Sequence, residues 1–295
     1  MRHATSISIA CLLWLAAGLA VAQAPTPSTA SQSKDSEYLR IARNDAGAPL
    51  TLQTSIVRFT PAPGSGRSGL KVDLVSAIHI ADARYYKELN ARFRDYDAVL
   101  YELVAPQGTR VPLGGGQNRS LVSGVQGAMT DMLGLAFQLE EVDYTRPNFV
   151  HSDLSPDELA QSMAERGESA LDYVFKAMGV SMSEQAKDPL GLQGIALLVA
   201  LLSQDRERVL KIQFANSMLD MDTLTAAFEG KDGSSLIGER NKRAVTVLQE
   251  RIRRGDRRIA IFYGAAHMSG IAQRLESDVG LRRSDSEWLD AWDLR

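Results

Sequence analysis

The stretch from Leu70 to Leu103 constrains the fold more than any other. Leu70–Ile78 (LKVDLVSAI) is an apolar run of strand length, and Ala98–Leu103 (AVLYEL) is a second. Between them Asp82 stands where a helix N-cap would, followed by Tyr85, Leu89 and Phe93 at i, i+4 spacing. Strand, helix, strand at this length is a βαβ unit, and the returning helix forces the two strands to lie parallel. Leu50–Phe59 reads as a further, half-buried strand with Leu50, Leu52 and Ile56 on one parity. Far downstream, Arg258–Tyr263 (RIAIFY) reads as another, preceded by a helix over Leu236–Arg254 that Gly255-Asp256 breaks. The expected fold class is therefore α/β, with a mostly parallel central sheet flanked by helices.

The middle of the chain reads as a helical insertion. Ser120–Val142 carries Leu121, Val125, Met129, Met132 and Phe137, and Ser155-Pro156-Asp157-Glu158 is a capping box with proline at the first helical position. Leu192–Leu202 is nearly all apolar, but a run of about 11 residues suits a buried helix better than a membrane span. Ser269 is expected to open a helix that ends near Gly280, and the tail pairs Trp288 with Trp292 at i, i+4.

The N-terminus has the form of a secretory signal: basic Arg2 and His3, apolar Ile7–Leu19, then the small residues Ala20-Val21-Ala22. Cleavage after Ala22 divides the chain into a signal at 1–22, a Pro/Ser/Thr-rich disordered linker at 23–45 and a single domain at 46–295. The product is expected in the periplasm, with no stable membrane span. Removing the signal takes His3 and the lone Cys11, so four His and one Cys become His79, His151 and His267 with no Cys. A disulfide scaffold, a Cys-ligated zinc module and an iron–sulfur site are thereby excluded. A net charge of −3 and a pI of about 5.9 argue against a nucleic-acid partner.

The few histidines fall in telling places. His79 follows the Leu70–Ile78 strand, and Gly264-Ala265-Ala266-His267 follows Arg258–Tyr263. Glu102 lies near the carboxyl end of Ala98–Leu103. Open α/β sheets bind ligands beyond the carboxyl ends of their strands, and Asp82 and Ser269 look like helix caps just after the two histidines. If the strands are neighbours, His79, His267 and Glu102 converge. Two imidazoles and a carboxylate are a metal-ligand set that leaves positions open for water and substrate. Glu102 stands among Leu100, Tyr101, Leu103 and Val104, where a carboxylate needs a partner or a ligand. His151 is a candidate fourth ligand or proton shuttle, and Asp82 and Asp153 are candidate general bases. The arginines at Arg251, Arg253, Arg254, Arg257 and Arg258 crowd a helix end and read as a solvated face. Gly114-Gly115-Gly116 lacks the Lys-Ser/Thr of a phosphate loop, and Asn118-Arg119-Ser120 has the form of a glycosylation sequon.

The ordered set Ser76-Ala77-Ile78-His79, Tyr101-Glu102-Leu103, Glu239-Arg240-Asn241 and Gly264-Ala265-Ala266-His267 resembles the TraB/TIKI family, which is similar to the erythromycin-esterase and ChaN-like proteins. Order and spacing match over roughly residues 70–280, and Ser76 stands where the family often has glycine. The resemblance implies a metal-dependent site made by the two His and the Glu, with Arg240 and Asn241 beside it. A guanidinium there would clamp a substrate carboxylate or stabilise an oxyanion. The function expected is an exported hydrolase of peptide or amide bonds that uses a divalent metal (manganese, cobalt or zinc) and takes a peptide or small-molecule substrate. The alternative is a haem- or tetrapyrrole-binding, or otherwise non-catalytic, binding protein of ChaN-like type.

Overall fold

A computed structural model describes residues 35–114, 133–168, 205–228 and 234–295. The signal, most of the linker, the glycosylation sequon, the Leu192–Leu202 run and most of Ser120–Val142 lie outside the described residues.

The strands are β1 (Leu39–Arg43), β2 (Pro49–Pro61), β3 (Lys71–Ala77), β4 (Ile80–Ala81), β5 (Ala98–Tyr101), β6 (Ala136–Phe137), β7 (Phe149–His151), β8 (Arg258–Gly264) and β9 (Leu281–Asp293). The helices are α1 (Ala83–Arg92), α2 (Gln138–Glu141), α3 (Pro156–Glu165), α4 (Arg206–Phe228), α5 (Arg240–Arg254) and α6 (Ala265–Ser277). The main sheet runs β1-β2-β3-β8-β5-β7, with β9 on the other side of β2, and β4 pairs with β6 in a small ribbon. Its centre is parallel: β3 pairs with β8, β8 with β5 and β5 with β7. An antiparallel wing of β1, β2 and β9 extends one edge.

Both faces of the parallel strands are buried, so the buried stretches of β5 and β8 read as apolar runs rather than alternating ones, and so does that of β3 but for Asp73 and Ser76. Tyr85, Tyr86 and Leu89 of α1, Leu210 and Leu219 of α4, and Trp292 cover one face. Ala244, Val245 and Leu248 of α5, with Met268, Ile271 and Leu275 of α6, cover the other. The α/β class, with a mostly parallel sheet flanked by helices, is as the sequence implies. The one buried charge in β3, Asp73, is met by Arg58 through two bonds of 2.8 Å and by the Tyr96 hydroxyl at 2.8 Å.

Several local readings change. Residues 39–43, expected in a disordered linker, form β1, because Leu39 and Ile41 alternate into the core against β2. Phe137, placed on a helical stripe, sits in β6, whose Ala136–Phe137 pairs with Ile80–Ala81. The tail is strand β9 rather than a helix. A register shift near Asp290–Trp292 lets Trp292 enter the core opposite Leu52, while Trp288, opposite Ser55, lies under the Arg40 guanidinium. Ser269 is inside α6, because that helix begins directly on the last residue of β8, with Gly264 as its N-cap. Asp82 is the N-cap residue of α1 by position, but its carboxylate does not cap. It accepts the Asp293 N–H at 2.7 Å and lies 3.6 Å from the Lys211 ammonium. The Ser155 capping box is present in full. Gly255 ends α5 in the left-handed conformation at φ 107°.

Several buried tyrosines make the stability of the fold depend on pH. Burial pushes the hydroxyls of Tyr85, Tyr86, Tyr144 and Tyr263 upward, and burial with the Asp73 charge does the same to Tyr96. These phenols stay protonated in the folded chain, whereas in the unfolded chain they ionise near pH 10. Their contribution to stability is therefore complete below about pH 10 and is lost as pH rises beyond it, at about 1.4 kcal/mol per pH unit for each phenol. Urea-unfolding midpoints should be flat between neutrality and about pH 9.5 and fall steeply above it. Phenol ionisation at its ordinary pH in a chain that stays folded would contradict this.

Candidate functional site

The candidate residues gather where the parallel strands end. Glu102 follows β5, Ser152-Asp153 follows β7, and Gly264 ends β8 and opens α6, whose first turn carries His267. Arg240 and Asn241 start α5, which a π-helical turn over Ser235–Glu239 introduces. Such turns are rare and recur at functional sites.

Arg240 is the hub. Its Nε donates to Asp153 Oδ1 at 2.9 Å, and its Nη2 donates to Asp153 Oδ2 and Glu102 Oε1, each at 2.6 Å. Its Nη1 donates to the Leu236 carbonyl at 3.3 Å and faces His267 Nε2 at 3.3 Å. All five guanidinium N–H groups are thus directed at groups of the chain. Arg240 stands as a brace between two carboxylates and an imidazole, in place of the free clamp expected for a substrate oxygen. Burial alone would lower its pKa, but Asp153 and Glu102 outweigh burial and raise it well above the ordinary value.

Glu102 is held on both oxygens: Oε1 by Arg240, and Oε2 by the Gly264 N–H at 2.8 Å. Burial pushes this carboxyl up, yet Arg240, with His267 and His79 adding to it, holds it well below the usual carboxylate range. His267 is 5% exposed, and its Nδ1 lies 2.6 Å from Asn241 Oδ1. That partner places the ring proton on Nδ1 and leaves the Nε2 lone pair facing Glu102 Oε1 at 3.4 Å. The Arg240 guanidinium faces both of these acceptors, Nη1 at 3.3 Å from Nε2 and Nη2 at 2.6 Å from Oε1. When both imidazoles are neutral, Glu102 and Asp153 against Arg240 leave the set one negative charge in excess.

The structure brings together Glu102, His267, Arg240, Asn241 and Asp153. His79 is near enough for its charge to act on Glu102, and its carbonyl accepts the Gln138 N–H at 2.8 Å. It does not complete a ligand cluster: among the described residues no three His, Cys, Asp or Glu side chains stand together as a metal would require. His151 turns to the loop after β5, with Nε2 at 2.6 Å from the Leu103 carbonyl and Nδ1 at 3.4 Å from Gln107 Oε1. Asp82 is engaged with the C-terminal strand, away from this group. Asp153, a candidate base from sequence, is 0% exposed and serves instead as the main partner of Arg240.

Sequence reasoning missed Tyr263, whose ring meets His267 edge to face at 5.4 Å and whose hydroxyl donates to the Ser152 carbonyl at 2.6 Å. It also missed Tyr144, which feels the Glu102 charge and accepts a hydrogen bond from Gln138 Nε2 at 2.9 Å. Tyr263 lies in an apolar strand and Tyr144 in a polar turn, and neither carries a local mark of a site. Comparison with protein-family models, curated proteins and solved structures finds no match to this chain.

Proposed function

We propose that this chain is an exported hydrolase of peptide or amide bonds, in which Glu102 and His267, joined by His79, hold a divalent cation. The observation that carries the reading is the convergence of His267 Nε2 and Glu102 Oε1, 3.4 Å apart, at the carboxyl ends of the parallel strands. The donors suit such an ion. An imidazole whose other nitrogen is pinned by an amide oxygen is the usual arrangement of a metal-ligating histidine, and a carboxylate kept ionised is the usual companion. A cation of the manganese, cobalt or zinc type would supply Lewis acidity, acidifying water and polarising a carbonyl.

The chain's own groups would do the rest. Hydrolysis adds water across the C–N bond, so one proton must leave the attacking water and one must reach the departing nitrogen. With the Nε2 lone pair of His267 given to the cation, Glu102 is the acceptor placed for that traffic. Asn241 keeps the imidazole in one tautomer, and Arg240 keeps the carboxylate in one position. The first turn of α6 opens at Gly264 without a side-chain cap, and its amides suit a developing negative oxygen.

The motif order shared with the TraB/TIKI family supports the same reading, and the N-terminal pattern supports export. Among the described residues no helix is long and apolar enough to cross a membrane. Incubating the mature chain with a peptide library, with Mn²⁺, Co²⁺ or Zn²⁺ supplied or chelated, tests the proposal. Cleavage that needs an ion and disappears in Glu102→Gln is expected; an intact library under every ion would overturn it.

A further inference from the structure

We propose that Asp153 is a positioning residue whose hold on Arg240 keeps the charge of Glu102 available to a cation, the cation part resting on the function proposed above. Arg240 has two carboxylates within reach. Guanidinium and carboxylate pair best as two parallel bonds, and Arg240 gives that pairing to Asp153, through Nε and Nη2, while giving Glu102 a single N–H.

Asp153 is fixed in place to receive it. Its Oδ1 also accepts the Leu154 N–H at 2.8 Å, and the preceding Ser152 is tied through Oγ to the Tyr101 carbonyl at 3.1 Å. The Tyr263 hydroxyl binds the Ser152 carbonyl from the other side. The guanidinium is thus anchored on the far side of the site, with its charge largely answered there. Without Asp153 the same guanidinium has only Glu102 as an anionic partner. It can then turn its Nη1–Nη2 edge onto both oxygens of Glu102, leave His267 Nε2, and make the buried set neutral.

The test is Mn²⁺ titration by calorimetry of wild type, Asp153→Asn and Asp153→Asn/Arg240→Met. Alongside it, the Arg240 Nε–H resonance is recorded in each metal-free protein that retains the arginine. Asp153→Asn should weaken Mn²⁺ binding by about 10- to 100-fold, the range for groups that orient metal ligands. Adding Arg240→Met restores the excess negative charge and should recover most of that loss. Should Asp153→Asn fail to fold, the double variant, in which Glu102 is the one charged member of the three that remains, still reports through its affinity. A role confined to folding predicts an unchanged Kd in the folded single variant and no rescue, and that result overturns the proposal. If wild type binds no Mn²⁺ but the Arg240 resonance shows the guanidinium moving onto Glu102 in Asp153→Asn, the cation reading fails and the positioning role stands. If the guanidinium stays in place and the affinity is unchanged, the positioning role fails.

Discussion

Arg240→Met should destabilise the folded chain by about 3–5 kcal/mol, the cost of removing one member of a buried charged group. Asp153 is fully enclosed and Glu102 nearly so, and the substitution leaves both carboxylates without their shared cation. For a domain of this size that corresponds to a melting temperature lower by roughly 10 °C. The pH dependence should change sign as well. In the wild type Glu102 is held below its ordinary range, so its contribution is present above about pH 4.3 and is lost as pH falls. In Arg240→Met the buried carboxylates lack that support and take up protons more readily, so the variant should gain stability as pH drops toward 5. Guanidinium-chloride unfolding of both proteins at pH 5 and pH 8 decides the matter. Equal stability at both pH values would show that the carboxylates do not depend on Arg240.

The second large effect concerns His267. His267→Ala removes the Nε2 atom proposed to ligate the cation and should lower ion affinity, and with it amide hydrolysis, by more than the roughly 10- to 100-fold that loss of a ligand-orienting group costs. Far-ultraviolet circular dichroism should show the fold retained, with His267→Gln as a second variant that keeps more of the ring's volume against Tyr263. Asn241→Leu should act through the same ring. It removes the oxygen that fixes the proton on Nδ1, and a loss of about 10- to 100-fold in ion affinity is expected, with folding intact. An Asn241→Leu chain with unchanged affinity would mean that the tautomer of His267 is not what the site depends on.

Much of the frame was legible because hydrophobic runs and helix starts are local signals. In their buried stretches β5 and β8 are apolar, β3 is apolar but for Asp73 and Ser76, and the Ser155–Glu158 box is complete in four residues. The positions of His79, Glu102 and His267 followed from strand ends. What the sequence hid was long-range or unmarked. The Arg240–Asp153 pairing spans 87 residues, and neither partner carries a local sign of the other. α6 begins at a glycine without a capping side chain, so Ser269 was the stronger lure and His267 was read as a loop residue. In the tail, two tryptophans four apart satisfy a helix; only pairing with β2, with its shift in register, makes the segment a strand. β1 lies next to a polar, proline-rich stretch, and its two core residues are too few to stand out.

The central claim is that the buried Glu102–His267 pair, with His79, holds a divalent cation. Metal analysis of purified mature protein, with Mn²⁺ titration of the chelated form, tests it most directly when the His79→Ala/His267→Ala double variant is run beside wild type. The account expects about one ion per wild-type chain and none on the double variant, since two imidazoles of a ligand set of this kind are gone. A wild type that binds no ion, or a double variant that binds as wild type does, would contradict it.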